Sequence, residues 1–337
     1  MNARRLYKGI DVFKIIAALG VVAIHTGIKF FDILGRLSVP FFVIVSSFFF
    51  FKHYFRLDSV LQKKSYIRKF LIRLGLLFLT WEVFYIPLAV DSFIKISNRT
   101  LSIKTLLLYI FDFLYPVPTN ANGWGPSWYL IAMFMALPIF IGLFYLVRKN
   151  LVILGIICVI IEFYLVCANG YGYLTHLSTL GTYGFPRLFI YIFIGMLIAK
   201  FKNKIDNYSF KWYLYLFGLF LILFLVENFV IRMSGGISHS EEVFTTAPTA
   251  FAASLVAIKW RPNIVNTINI RNFSTFLYCA QQWGLVVWNK LMHIFNINFL
   301  GINVLEFIFI VASSYMFYLL YKWIRRRIQW KFWNYMV

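Results

Sequence analysis

Acidic side chains are scarce in this 337-residue chain, with 12 Asp and Glu against 33 Lys and Arg. Charged residues of either sign make up only 13%, too few to cover a water-soluble globule of this size, while hydrophobic residues reach 61%. Together with a mean hydropathy of +0.76, this excludes the one or two soluble domains that length alone would suggest. Cysteine is rarer still. Cys158, Cys167 and Cys279 all lie in apolar segments, which excludes a disulfide framework and metal-ligand spacing, so no metal is expected. Gly-x-Gly-x-x-Gly, the Walker loop, Gly-x-Ser-x-Gly and His-Glu-x-x-His are all missing, which removes soluble nucleotide-binding and hydrolase chemistry. The first apolar run lacks a small-residue cleavage site, so it is expected to stay in the protein rather than leave as a signal peptide.

What the chain does have is a series of apolar runs of about twenty residues, the length that crosses a bilayer as helix. They fall near 10–30, 38–55, 70–90, 127–147, 150–168, 186–201, 212–232, 244–260, 273–291 and 301–323. The run at 103–115 is shorter and interrupted by Lys104 and Asp112, and reads as an interfacial or re-entrant helix. The expectation is an all-α polytopic membrane protein, residues 1–337 forming a single bundle of about ten transmembrane helices. A net charge of +21 could indicate a nucleic-acid partner, but the positive residues cluster between spans. With the N-terminus cytoplasmic, twenty-three of the 33 Lys and Arg residues fall inside and eight outside. The positive-inside rule therefore places both termini in the cytoplasm of a multi-pass plasma-membrane protein and leaves no role for nucleic acid.

The first run, Arg4 to Ile28, carries three ionisable residues within apolar sequence: Asp11, Lys14 and His25. Charge inside a membrane is costly and marks a functional site by default. At 100° per residue, Lys14 and His25 lie about 20° apart on the helix surface, and Asp11 lies about 40° from His25. All three share one stripe, yet about 16 Å of helix rise separates Lys14 from His25. The stripe reads as a long site with a cation at one end and a proton-transfer group at the other. A snorkelling Lys14 and a hydrogen-bonded core His25 form the alternative. Trp124 and Trp128, in the turn-rich stretch Pro116 to Trp128, are candidates for stacking on a sugar face, with an aromatic interfacial belt as the alternative.

A Lys or Arg, ten residues and then His on the first membrane helix resembles the signature of the acyltransferase-3 family of integral-membrane O-acyltransferases. Here it stands as Lys14 and His25 in IDVFKIIAALGVVAIHT. The run Arg36 to Ser47 is similar to the family's second helix, with Ser47 where Gly is usual. GPSWYLIA (Gly125 to Ala132), FPRLFIYIFIGMLIAK (Phe185 to Lys200) and NFSTFLY (Asn272 to Tyr278) add weaker matches. IDVFKIIAA and TWEVFYIP (Thr80 to Pro87) look closest to the branch containing the membrane half of vancomycin-resistance serine racemases. No racemase domain is expected here.

The resemblance implies transfer of an acyl group, acetyl in the first instance, from cytoplasmic acyl-CoA to a hydroxyl of a cell-envelope glycan or its lipid-linked precursor. The acyl-CoA would be a donor substrate rather than a tightly bound cofactor, and membrane lipid and the glycan or lipid-linked sugar would be the partners. His25 would be the general base, since its ordinary pKa lies near working pH. Asp11 belongs to the same catalytic stripe, too distant to orient His25 and placed to pair with Lys14. Lys14, with Arg73 and Arg68, would hold the donor's phosphates; Phe70 stands where the family often has the first Arg of Arg-x-x-Arg. Arg36 could stabilise an oxyanion or an anionic acceptor. Glu82 is a candidate internal partner for a cation. Gln281, where relatives often have His, can hydrogen-bond an acceptor but cannot act as a base. The alternative is a carrier for a small amino acid such as serine, which would call for broken helices and inverted repeats that the sequence does not display.

Overall fold

The computed structural model describes residues 7–96, 102–114, 121–177, 184–235, 242–296, 301–328 and 330–337. Parts of the polar loops expected on the outer face, at 116–120, 178–183 and 236–241, lie outside the described residues. Every regular element among the described residues is helical: α1 (Lys8–Thr26), α2 (Phe31–Gly35), α3 (Ser38–Tyr54), α4 (Val60–Ile96), α5 (Ile103–Leu114), α6 (Trp128–Leu146), α7 (Leu151–Asn169), α8 (Gly172–Thr175), α9 (Phe189–Lys200), α10 (Lys202–Asn207), α11 (Phe210–Met233), α12 (Thr246–Lys259), α13 (Thr267–Phe295) and α14 (Ile302–Arg327). Short 3-10 turns precede α6 at Gly125–Ser127 and α9 at Phe185–Leu188, and another follows α14 at Lys331–Tyr335.

Helices occupy all ten stretches expected to cross, but among the described residues only seven are long and apolar enough to do so by themselves. The other three are α9, α12 and α13. The first two have 12 and 14 residues and are buried along most of their length. A helix walled in by protein needs neither lipid-facing leucines nor full bilayer length, and α12 reads accordingly as TAPTAFAASLVAIK. In α13 the apolar pattern is broken by buried Thr267, Ser274 and Gln281. The third expected span is instead longer than anticipated, because α4 runs 37 residues, about 55 Å, and carries its basic first turns beyond the apolar stretch. The segment at 103–115 forms the 12-residue α5, with Leu107 and Phe111 exposed and the Tyr109 hydroxyl donating to the carbonyls of Ala89 and Ala121. At about 18 Å it is too short to cross.

Close backbone contacts hold the bundle together, as small residues do between membrane helices. α3 and α9 are the most intimate pair. At Gly195 a Cβ would lie 2.5 Å from the Ile44 carbonyl oxygen and 2.6 Å from the Ser47 Cβ. Gly20 of α1 meets Gly35 of α2 in the same way, backbone against backbone. α1 and α13 lie side by side and run in the same direction, Ala18 and Val22 packing with Leu277 and Leu285.

Charges gather at the two ends. At one, Lys52 donates to the Tyr7 hydroxyl at 2.5 Å and Lys259 to the Asp206 carbonyl at 2.9 Å. At the other, Arg232 pairs with Asp32 at 3.1 Å, and Glu227 closes the start of α12 by accepting the amides of Phe244 and Thr245. Tyr171, in the turn before α8, donates to the same carboxylate at 2.6 Å; burial and that bond raise its hydroxyl above the ordinary range.

Gly195→Leu is expected to force α3 and α9 apart and to destabilise the protein by about 3 kcal/mol, the upper end for overpacking. A thermal melt of the purified protein in detergent measures it, and an unchanged midpoint would remove this contact from the bundle's determinants.

Candidate functional site

Two cavities open along α1, one near Lys14 and one at His25. The first, about 370 Å³, is lined by Lys14, Ser46, Tyr66, Arg73, Ser274 and Tyr278 among others. Lys14 has three charged electrostatic neighbours, Asp11, Arg271 and Arg73. Three cations around one buried carboxylate leave this end of the site positive, suited to an anion. Most of the remaining wall is apolar and aromatic, with Phe50 stacked on Tyr66 at 5.1 Å, and Thr275 and Asn334 add polar groups.

The second cavity, about 60 Å³, is bounded by His25, Gly35, Arg36, Pro126, Trp128, Arg187 and Tyr278. His25 sits in the last turn of α1, just before Gly27 ends the helix in the left-handed conformation (φ 63°). Arg36 is delivered by the Gly20–Gly35 contact, which presses α2 onto α1 one residue before it. Arg187 enters from the turn before α9. Its Nε pairs with Glu242, both groups fully buried, and its guanidinium lies 5.3 Å from the Trp128 ring centroid. Asn169 donates to the other oxygen of Glu242 at 2.8 Å, and Tyr191 to Glu162 at 3.4 Å beside them. The chamber thus presents an imidazole, two guanidiniums and an indole face around a space for a few heavy atoms.

The structure brings several of the expected residues together: Lys14 with Arg73, and His25 with Arg36 and Trp128. Asp11 is buried beside Lys14, far from His25. Others it places elsewhere. Arg68 lies five residues before Arg73, about 140° around the helix. It lines a separate hollow of about 500 Å³ on the outer face of α4, with Lys64, Ile67, Leu71, Gly75 and Phe134. Trp124 is no sugar platform, because it is fully buried, stacked on Tyr85 (5.0 Å, 5°) and on Phe78 (6.0 Å, 16°). Glu82 partners an amide rather than a cation, accepting from Asn122 Nδ2 at 2.6 Å. The same Nδ2 reaches Ser127 Oγ at 2.8 Å, so Glu82 braces the turn that carries Pro126 and Trp128. Gln281 is buried outside both cavities, its amide donating to the Tyr278 carbonyl at 2.9 Å.

Three residues at the site were not anticipated as such: Arg187, Arg271 and Tyr278. Arg187 belongs to the Phe-Pro-Arg run that begins a recognisable segment, and Tyr278 ends Asn-Phe-Ser-Thr-Phe-Leu-Tyr. Nothing in their spacing indicates that either faces α1.

Comparison with known proteins adds a family. The acyltransferase-3 model, described as an acyltransferase domain, matches residues 7–323. Two amino-acid racemases of Enterococcus faecalis are similar over shorter stretches. One is 30% identical over 146 residues, 39% of this chain and 19% of the racemase. The other is 32% identical over 118 residues, 31% of this chain and 16% of the racemase. The matched stretches thus span less than a fifth of those relatives' length. No solved structure matches.

The buried Arg187–Glu242 pair yields a test of how the chamber is held. Removing one partner of a buried pair leaves the other uncompensated, at about 3–5 kcal/mol. Glu242→Gln is expected to lower the melting temperature, and Arg187→Met in the same chain to restore part of the loss. A double variant no more stable than Glu242→Gln would show that the pair contributes nothing as a pair.

Proposed function

The chain belongs to the acyltransferase-3 family, and from that premise we propose that it moves an acyl group, acetyl in the first instance, from cytoplasmic acyl-CoA to a hydroxyl of a cell-envelope glycan or its lipid-linked precursor. One observation carries the reading: a positive cavity lined by Lys14 and an imidazole chamber lined by His25 lie along one helix and share a wall, the two residues being about 16 Å apart along its axis. A CoA thioester has matching parts, an anionic nucleotide end and a reactive carbon at the far end of a long flexible arm.

In this reading the termini face the cytoplasm, as the basic loops favour. Lys14, Arg73 and Arg271 receive the donor's phosphates. Lys meets phosphate as a point charge, whereas Arg can grip two oxygens at once. The thioester carbonyl comes to lie beside His25. The imidazole takes the proton of the acceptor hydroxyl, whose oxygen attacks the carbonyl carbon. Arg36 stabilises the oxyanion of the tetrahedral intermediate. The carbon–sulfur bond then breaks, and the departing thiolate takes the proton from the imidazolium, returning His25 to its neutral form. Trp128 offers an apolar face for the acceptor, its ring already held against Arg187.

The racemase similarity favours a second reading, a carrier for a small amino acid such as serine. Donor binding separates the two. Purified protein is expected to bind CoA and acetyl-CoA saturably in isothermal titration, with Lys14→Ala weakening binding more than Lys14→Arg. Absence of binding by folded wild type would leave the carrier reading standing. His25→Ala is expected to keep donor binding while lowering the transfer rate about 10²–10⁴-fold, the usual contribution of a general base. Transfer at the wild-type rate would remove His25 from the chemistry.

A further inference from the structure

The two cavities have one lining residue in common, Tyr278. We propose that Tyr278 is the septum between a donor compartment and an acceptor compartment, latched closed at rest and displaced when the acyl-bearing arm passes. The compartments' contents rest on the acyltransferase reading; the septum itself rests on geometry.

Lys14 is an electrostatic neighbour of Arg271, so those two residues mark one level of the parallel pair α1 and α13. Tyr278 lies seven residues beyond Arg271, about 10 Å along the axis, against about 16 Å from Lys14 to His25. It therefore falls between the two ends of the site. Its side chain is buried, and the ring is closed in by Phe42 (5.9 Å, 68°) and Tyr129 (5.9 Å, 81°), both of which also line the donor cavity.

The Tyr278 hydroxyl donates to the Pro126 carbonyl at 2.5 Å, and Pro126 lines the acceptor chamber. Both backbones are fixed. On one side, Glu82, Asn122 and Ser127 form a buried hydrogen-bonded chain that holds the 121–128 turn. On the other, Tyr278 sits within α13, with Gln281 bonded to its carbonyl. Opening the way therefore requires the Tyr278 ring to turn out of its packing against Phe42 and Tyr129 and to give up one hydrogen bond, with both backbones left in place. These contacts also give Glu82 and Gln281 a role without placing either against substrate: they are positioning residues for the latch.

A closed septum protects the donor. Water adding to the thioester carbonyl would expel the thiol and leave a free carboxylic acid, wasting the acyl group. Held shut, the septum keeps the acceptor chamber's water from the thioester until the arm is in place.

Sidedness of thiol labelling tests this without any acyl-CoA. Val39 lines the acceptor chamber. In sealed proteoliposomes of defined orientation, Val39→Cys is expected to react with a membrane-impermeant thiosulfonate applied from the His25 side and not from the Lys14 side. The parent chain, with Cys158, Cys167 and Cys279, supplies the background. Adding Tyr278→Ala is expected to raise labelling from the Lys14 side at least tenfold, and Tyr278→Phe, which removes the latch and keeps the ring, to raise it by less. Unchanged sidedness in both Tyr278 variants, each melting as wild type does, would overturn the septum, as would two-sided labelling of Val39→Cys with Tyr278 intact. Loss of sidedness in Tyr278→Ala together with no acyl-CoA binding by wild type would uphold the septum and sink the acyltransferase reading.

Discussion

A helix is a rigid ruler, and α1 sets the scale on which everything else in this protein is placed. Lys14 and His25 share a stripe but cannot approach each other, so whatever uses both must span the distance between them. The neighbours of α1 fall into two groups accordingly. Arg73 and Arg271 come in from α4 and α13 at the Lys14 end. Arg36, Trp128 and Arg187 come in at the His25 end from α2, α6 and the turn before α9. Tyr278 stands between.

Scarcity of acidic residues sharpens that arrangement. With 12 carboxylates in the chain, those near the site have separate tasks. Asp11 tempers the cation cluster at Lys14, Glu242 holds Arg187 in place, Glu82 fixes the Asn122 turn and Glu227 closes the start of α12. A buried polar or charged group that loses its partner is far more expensive than one that keeps it, so each of these contacts fixes the position of the element it ties.

Much of this could be read from the amino acids. Hydropathy located the ten helical stretches, and the eleven-residue interval placed Lys14 and His25 on one face because helical periodicity is local. The short segment before Pro116 was recognisable as a helix, and its 12 residues match the short apolar run in the sequence. What failed was tertiary in origin. Hydropathy is blind to whether a helix touches lipid, so it gave no sign that α9 and α12 are short and largely covered by their neighbours. Trp124 and Trp128 lie four residues apart in one turn, yet one is a core residue stacked on Tyr85 and the other borders the chamber. Arg68 and Arg73 look alike as a basic cluster, while the angle between them sends one outward. Tyr278 and Arg187 gave no sign of their position, since only the packing of α13 and α9 brings them to α1.

The enclosed helices carry a consequence for how this protein sits in an electric field. α9 and α12 rise about 18 and 21 Å, against a hydrocarbon layer of about 30 Å. Transmembrane voltage falls across low-dielectric material and hardly at all across water. Were water to reach the Lys14 cavity from one face and the His25 chamber from the other, as the proposed septum requires, the electrical thickness of the protein would be much less than its physical thickness. The field would then concentrate around the Tyr278 ring, where a charge carried across would feel most of the roughly 2.3 kcal/mol available per 100 mV.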